Sequence, residues 1–132
     1  MKVYCDTSGL YALLDADSHE HLQAVAIWER LRAERHELVC ANYVLVECLA
    51  LVQRRLGLPA VLDFQSAIVP LLEIEWIDAL AHERIVQALL TAHNRQLSLV
   101  DCASFDVMRR RGIKAAFAFD RHFGEQGFDA LD

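Results

Sequence analysis

At 132 residues the chain is long enough for one domain with a full core, and its 55% hydrophobic content is high for a globular protein. Lys and Arg number 13 against 19 Asp and Glu, so the net charge of −6 excludes attraction of nucleic acid through overall charge, and any polyanion has to dock on local arginines. No uncharged run reaches the ~18 residues of a membrane helix, which leaves the membrane out as a partner. No signal-peptide pattern opens the chain, and Cys5, Cys40, Cys48 and Cys102 show no CxxC spacing. The expectation is a soluble cytoplasmic protein with buried, reduced thiols.

The first stretch, Lys2-Val-Tyr-Cys-Asp-Thr-Ser-Gly-Leu10, is a short β-branched and aromatic run that stops on a carboxylate and a hydroxyl pair. It reads as a buried parallel strand, whose carboxyl end is where ligands collect in α/β folds. Ser8 to Asp15 then reads as a short helix capped by Thr7 or Ser8. Asp17-Ser18 reads as the cap of a second helix, running from Glu20 to Glu34 with Leu22, Val25, Ala26, Ile27, Trp28 and Leu31 on its apolar side.

Glu37 to Ala41 is a second short strand. It leads into an apolar helix from Tyr43 to Leu56 that stops at Gly57, and Pro59 opens another helix to Val69, closed by Pro70. Leu71 to Ile77 alternates as a third strand. Asp78 caps a long helix from Ala79 to about Asn94, expected to turn Leu80, Ile85, Val86, Leu89 and Leu90 inward. Leu97 to Arg111 reads as a helix ended by Gly112, Ile113 to Phe119 as a strand, Asp120 as the start of a short turn, and Phe128 to Leu131 as an edge strand. Strands alternating with helices predict a single α/β domain over 1–132: a three-layer sandwich with a central, mostly parallel, twisted sheet of 4–5 strands and helices on both faces.

Four acids stand in or directly after apolar runs: Asp6, Glu47, Asp101 and Asp120. An ionised carboxylate there is costly unless something compensates it, and a divalent cation does so for several at once. Each aspartate also has a local use. Asp6 can cap the first helix, Asp120 can cap the last turn, and Asp101 can complete a capping box with Ser98. Glu47 has no such use, because it is the only charged residue between Glu37 and Arg54 and lies inside a helix among largely apolar neighbours. The six histidines show no HExxH or other ligand spacing and read as surface residues. A zinc site from the scattered cysteines is disfavoured, and a Ser-His-Asp triad lacks its G-x-S-x-G elbow.

Asp-Thr-Ser-Gly-Leu at 6 to 10, Val46-Glu47-Cys48, Leu97-Ser-Leu-Val-Asp-Cys-Ala-Ser-Phe105 and Phe119-Asp-Arg-His-Phe123, in this order, make the chain resemble a PIN domain, most of all the stand-alone VapC-type ribonuclease toxins. The resemblance implies a metal-dependent endoribonuclease, with Asp6, Glu47, Asp101 and Asp120 matching the family's acidic quartet as catalytic and metal-binding residues. Thr7 matches the hydroxyl position that supports a metal or its water. One or two Mg²⁺ or Mn²⁺ ions, an RNA substrate, a homodimer and a cognate antitoxin are implied as well, with the helices from Ser18 to Glu34 and Tyr43 to Val69 as the docking wall. Among the basic clusters, Arg109 to Arg111 suits a cationic helix end, and Arg121 is the better phosphate contact.

The quartet has a physical rationale of its own: oxygen-rich sites suit hard divalent ions, which activate water and stabilise charge on a phosphodiester. Carboxylates at ~6 Å and an effective dielectric of ~20 repel by roughly 3 kcal/mol per pair, so the metal-free site should be strained. Two other readings remain. One is a non-catalytic PIN-like scaffold that binds RNA or protein. The other is an aspartyl-phosphate phosphatase or receiver, disfavoured because Ser8 stands where a second aspartate is wanted and Lys114 precedes the last strand.

Overall fold

Val3, Tyr4 and Cys5 are wholly buried, as a strand covered on both faces requires. In the computed structural model, which describes residues 1–132, these residues belong to β1 (Lys2–Cys5), the middle strand of a five-stranded sheet. β2 (Glu37–Ala41) and β4 (Ala115–Phe117) flank it, β3 (Leu72–Glu75) lies outside β2, and β5 (Asp129–Ala130) lies outside β4. Every pairing is parallel, with Tyr4 level with Val39 on one side and Ala116 on the other. The chain builds outward from β1 to β3 and then crosses back to β4. The strand order therefore reverses beside β1, and the crevice at the carboxyl ends of β1 and β4 is the natural ligand position.

Seven α-helices complete the chain: α1 (Thr7–Leu14), α2 (His21–Ala33), α3 (Asn42–Leu56), α4 (Leu58–Asp63), α5 (Ala79–Ala92), α6 (Leu99–Arg111) and α7 (His122–Glu125). The main core joins the sheet to α1, α2, α3 and α6 through Leu10, Ile27, Val44 and Phe105, among others. The Tyr4 hydroxyl is hydrogen-bonded to Ser104 Oγ at 2.7 Å and accepts the Ala41 N–H at 3.2 Å. One buried phenol thus fastens β1, β2 and α6 together, and with α6 it places Asp101. All four cysteines are buried and unpaired. No helix is long and apolar enough to cross a membrane.

Several expected boundaries move. Of the caps the sequence offers for α1, the structure uses Asp6 and not Thr7 or Ser8. α2 starts at His21 without a side-chain cap, because Ser18 closes a preceding turn by accepting the His21 N–H through its carbonyl. The helix expected from Pro59 to Val69 is α4 followed by a widened π-type turn at Phe64–Ile68 and a 3₁₀ turn at Val69–Leu71. Pro70 explains the break, since it has no N–H to donate and its ring would strike the carbonyl one turn earlier. α6 starts at Leu99 because Ser98 is its cap, closing the expected box with Asp101.

β4 is shorter than Ile113 to Phe119 because both ends are bonded elsewhere. The Ile113 N–H goes to Met108 O at 2.8 Å, closing the end of α6, and the Phe119 N–H goes to Ser8 Oγ at 2.9 Å. On α5 only Ile85 is fully buried. Leu80 is 77% exposed and Leu90 62%, so neither points inward as expected, because α5 packs mainly on α6 and its apolar arc is wider than that contact. Leu22 of α2 likewise faces solvent.

Candidate active site

β1 ends at Cys5, and Asp6 follows at the crevice, where its N–H still reaches Phe117 O of β4 at 3.1 Å. Its side chain caps α1. Oδ2 accepts the Ser8 N–H at 3.1 Å and the Ser8 hydroxyl at 2.6 Å. Gly9 allows this close approach of α1 to β4, since a Cβ there would lie 2.4 Å from Phe117 O.

Asp101 and Asp120 repeat the arrangement. Asp101 Oδ2 accepts the Ser98 N–H at 3.1 Å in the capping box, and Asp120 Oδ1 accepts the His122 N–H at 2.9 Å in the turn after β4. In all three aspartates one oxygen is held by a turn, and the other accepts no hydrogen bond from the protein. Capping and ligation are therefore compatible at each position: the cap fixes the rotamer, and the free oxygen remains to bind.

The charges interact. Burial pushes the Asp6 carboxyl up to about 6 against its two Ser8 hydrogen bonds, and the Asp101 and Asp120 charges push it the same way. Burial also raises Asp101, with Asp120 adding to it and the Ser98 backbone bond opposing it. Such pressure marks a place built for a counter-charge.

The carboxylates of Asp101 and Asp120 form a tight group with His122, one ligand atom from each lying within 4.8 Å of the others. His122 was expected at the surface, yet its side chain is only 12% exposed. Its sequence signal was its place two residues after Asp120, inside Phe119-Asp-Arg-His-Phe123. Ser8 was also passed over as a site residue, although it stands in the first acidic motif.

Asp6 and Glu47 both lie outside the tight group, Asp6 near enough for the charges of Asp101 and Asp120 to act on it. Glu47 is half-buried on α3, forms no ion pair, and neighbours Cys48, whose thiol is pushed up by burial, against an opposing contact from Thr7, with the charges of Asp6, Cys40 and Glu47 adding to the rise. Thr7 is buried, and its Oγ1 makes no hydrogen bond of good geometry, although it lies near enough to the Cys48 thiol to oppose that thiol's upward shift. Arg121 is 74% exposed and paired with Glu125 at 3.4 Å. The triple arginine is engaged at all three positions: Arg111 pairs with Glu73 at 2.8 Å and Glu75 at 3.4 Å, Arg110 with Asp106 at 3.6 Å, and Arg109 lies over Phe128.

These residues fit a hard divalent cation. Three carboxylates each keep an oxygen free, and a buried hydroxyl beside the first makes no hydrogen bond of good geometry within the protein. Fold and site together define a parallel α/β protein with an acidic centre at the switch point of its sheet.

The comparisons agree with that class. The PIN domain family model matches residues 3–129. The 23S rRNA-specific endonuclease VapC20 of Mycobacterium tuberculosis is 32% identical over 127 residues, 96% of this chain and 95% of the relative, in both strain CDC 1551 and strain H37Rv. The crystal structure of Mycobacterium tuberculosis VapC20, described as a sarcin-ricin loop cleaving toxin, superposes with a TM-score of 0.84 at 31% identity and covers 98% of each chain. The chain belongs to the PIN domain family and is similar to its VapC ribonuclease toxins along almost its whole length.

Proposed function

We propose that the protein is the toxin of a type II toxin-antitoxin pair and that it hydrolyses RNA phosphodiester bonds at Asp6, Glu47, Asp101 and Asp120. The observation that carries this reading is the set of three aspartates, each pinned by a turn through one oxygen and free at the other, around the crevice where the strand order reverses. Mg²⁺ or Mn²⁺, as one or two ions, is the proposed cofactor. When bound it would supply Lewis acidity and a water activated near neutral pH.

The chain's own residues divide the remaining work. Asp6, Asp101 and Asp120 offer their free oxygens as ligands, and Glu47 on α3 is proposed as the fourth acid. Thr7 offers a hydroxyl beside Asp6 that makes no hydrogen bond of good geometry. Ser8 is not a nucleophile, because its hydroxyl is committed between Asp6 and the Phe119 N–H. The proposed reaction is direct hydrolysis of the phosphodiester, with Ser8 left in a bracing role. Arg121, exposed at the rim, is the proposed phosphate contact.

The VapC20 comparison makes a structured ribosomal RNA loop the first substrate to try. Exposed Leu22 on α2, Val46 on α3 and Leu58 and Leu62 on α4 support an antitoxin docking wall, and Trp76, Leu80 and Leu90 support a second copy of the chain. Ribosomal RNA incubated with the antitoxin-free protein should be cut into discrete fragments in Mg²⁺ or Mn²⁺, with cutting abolished by chelator and by Asp101→Asn. Intact RNA with both ions would overturn the enzyme reading and favour the scaffold.

A further inference from the structure

We infer that His122 is a nitrogen ligand of the same centre, so that the site holds its ion with a mixed carboxylate and imidazole set, oriented by Glu125. This rests on the metal-site reading above and adds to it a residue that the four acids do not include.

Three observations converge. First, a ring nitrogen of His122 and carboxylate oxygens of Asp101 and Asp120 lie within 4.8 Å of one another. Ligands on opposite sides of one ion lie about 4.2 Å apart at bonds of about 2.1 Å, so a small side-chain adjustment suffices. Second, the two ring nitrogens face different partners. Nε2 is 4.0 Å from Asp120 Oδ1, the oxygen held by the His122 backbone N–H, which sets the ring beside the carboxylate whose Oδ2 is free to ligate, and Nδ1 is 3.6 Å from Glu125 Oε2, an ion-pair distance that has to shorten to become a hydrogen bond.

Third, Glu125 is biased toward this side, because Arg121 Nε lies 3.4 Å from its other oxygen, Oε1, in an exposed ion pair. A metal-bound histidine commonly gives its second N–H to a carboxylate, which sets its tautomer and ring plane. Here Arg121, His122 and Glu125 supply the ligand, its orienting acid and that acid's ion-pair partner within one turn. The ring is folded inward while the neighbouring Arg121 is 74% exposed. The alternative is a cationic His122 that only bridges Asp120 and Glu125.

An imidazole ligand favours later divalent metals over Mg²⁺, which prefers oxygen alone. Mn²⁺ is both a candidate ion and paramagnetic, so its first shell can be read directly. Electron spin-echo modulation of Mn²⁺ bound to the intact protein should show imidazole nitrogen, and His122→Gln should still bind Mn²⁺ with that modulation gone. Calorimetric titration should show Co²⁺ and Mn²⁺ affinity falling about tenfold in His122→Gln, with Mg²⁺ affinity falling less, and Glu125→Gln shifting the same way to a smaller extent. Bound Mn²⁺ without nitrogen modulation, or modulation that survives His122→Gln, would overturn the ligand role and leave the metal centre standing. No saturable Mn²⁺ binding by the wild-type protein, or binding indifferent to Asp101→Asn, would overturn both.

Discussion

Ser8 ties Asp6 to the far side of the crevice: its hydroxyl donates to Asp6 Oδ2 at 2.6 Å and accepts the Phe119 N–H at 2.9 Å. The carboxylate after β1 is thus registered against the chain leaving β4, the segment that carries Asp120. Ser8→Ala should cost about 1–2 kcal/mol, because it leaves the Phe119 N–H unpaired and removes a charge-assisted bond. Cleavage should fall about tenfold with a weaker metal-induced thermal shift. Urea denaturation together with a cleavage time course checks both, and unchanged cleavage at lowered stability would make the residue a purely structural brace.

Burial pushes the Asp6 carboxyl up to about 6, from the 3.8 of a free aspartate. Between these values the folded state holds the proton that the unfolded state has released, so this group's contribution to stability falls as pH rises through the window. The deficit is absent below about 3.8 and complete above about 6, at a size of about 3 kcal/mol. Asp6→Asn should therefore raise the metal-free melting temperature at pH 7.5 and gain little at pH 4. A gain of equal size at both pH values would contradict a raised Asp6.

The same titration sets the metal response. Protons compete with a cation for Asp6, so the Mn²⁺ thermal shift of the wild-type protein should be full at pH 7.5 and shrink below about pH 6. Melting curves with Mn²⁺ or chelator across that range measure it directly. A shift that is flat from pH 5 to 8 would separate the ion from this carboxylate.

Glu47 has no ion-pair partner on its half-buried helix face, so Glu47→Gln should leave metal-free stability unchanged or slightly raised. As the fourth acid, it should nevertheless be required for cleavage, and the metal-induced shift should shrink with it. Three measurements on one variant, apo melting, metal shift and cleavage, distinguish a ligand from a surface residue. Retained cleavage with an intact shift would remove Glu47 from the site.

Gly9 lies where α1 passes β4, and a Cβ would meet Phe117 O at 2.4 Å and Phe117 C at 2.9 Å. Both are backbone atoms, so the contact cannot be relieved by a rotamer change, and Gly9→Ala should destabilise by at least about 2 kcal/mol. The shift of α1 should also carry Asp6 out of position. Thermal melting that matched wild type would show that the helix and strand can separate at no cost.

Local chemistry in the sequence determined the alternation of strands and helices, the parallel sheet and the placing of acids at strand and helix ends. Those features follow from the apolar period, cap residues and glycine stops, all of which act over a few residues. The capping box of Ser98 and Asp101, for example, needs nothing beyond its own turn. The strand order, and with it the convergence of Asp6, Asp101 and Asp120, depends on which face of each helix finds a partner.

The same dependence explains the misplaced residues. Leu80 and Leu90 satisfy a helical stripe as well as Ile85 does, and only the narrow contact of α5 with α6 leaves them outside. His122 carries no ligand spacing along the chain, because its neighbour Asp101 is distant in sequence and comes to it through the Tyr4 bond to Ser104 and the packing of Phe105 on Phe123. Glu47, the acid whose sequence setting most demanded a partner, stands apart from the tight group because a helix turns each side chain by its own rotation while the sheet decides where that helix lies.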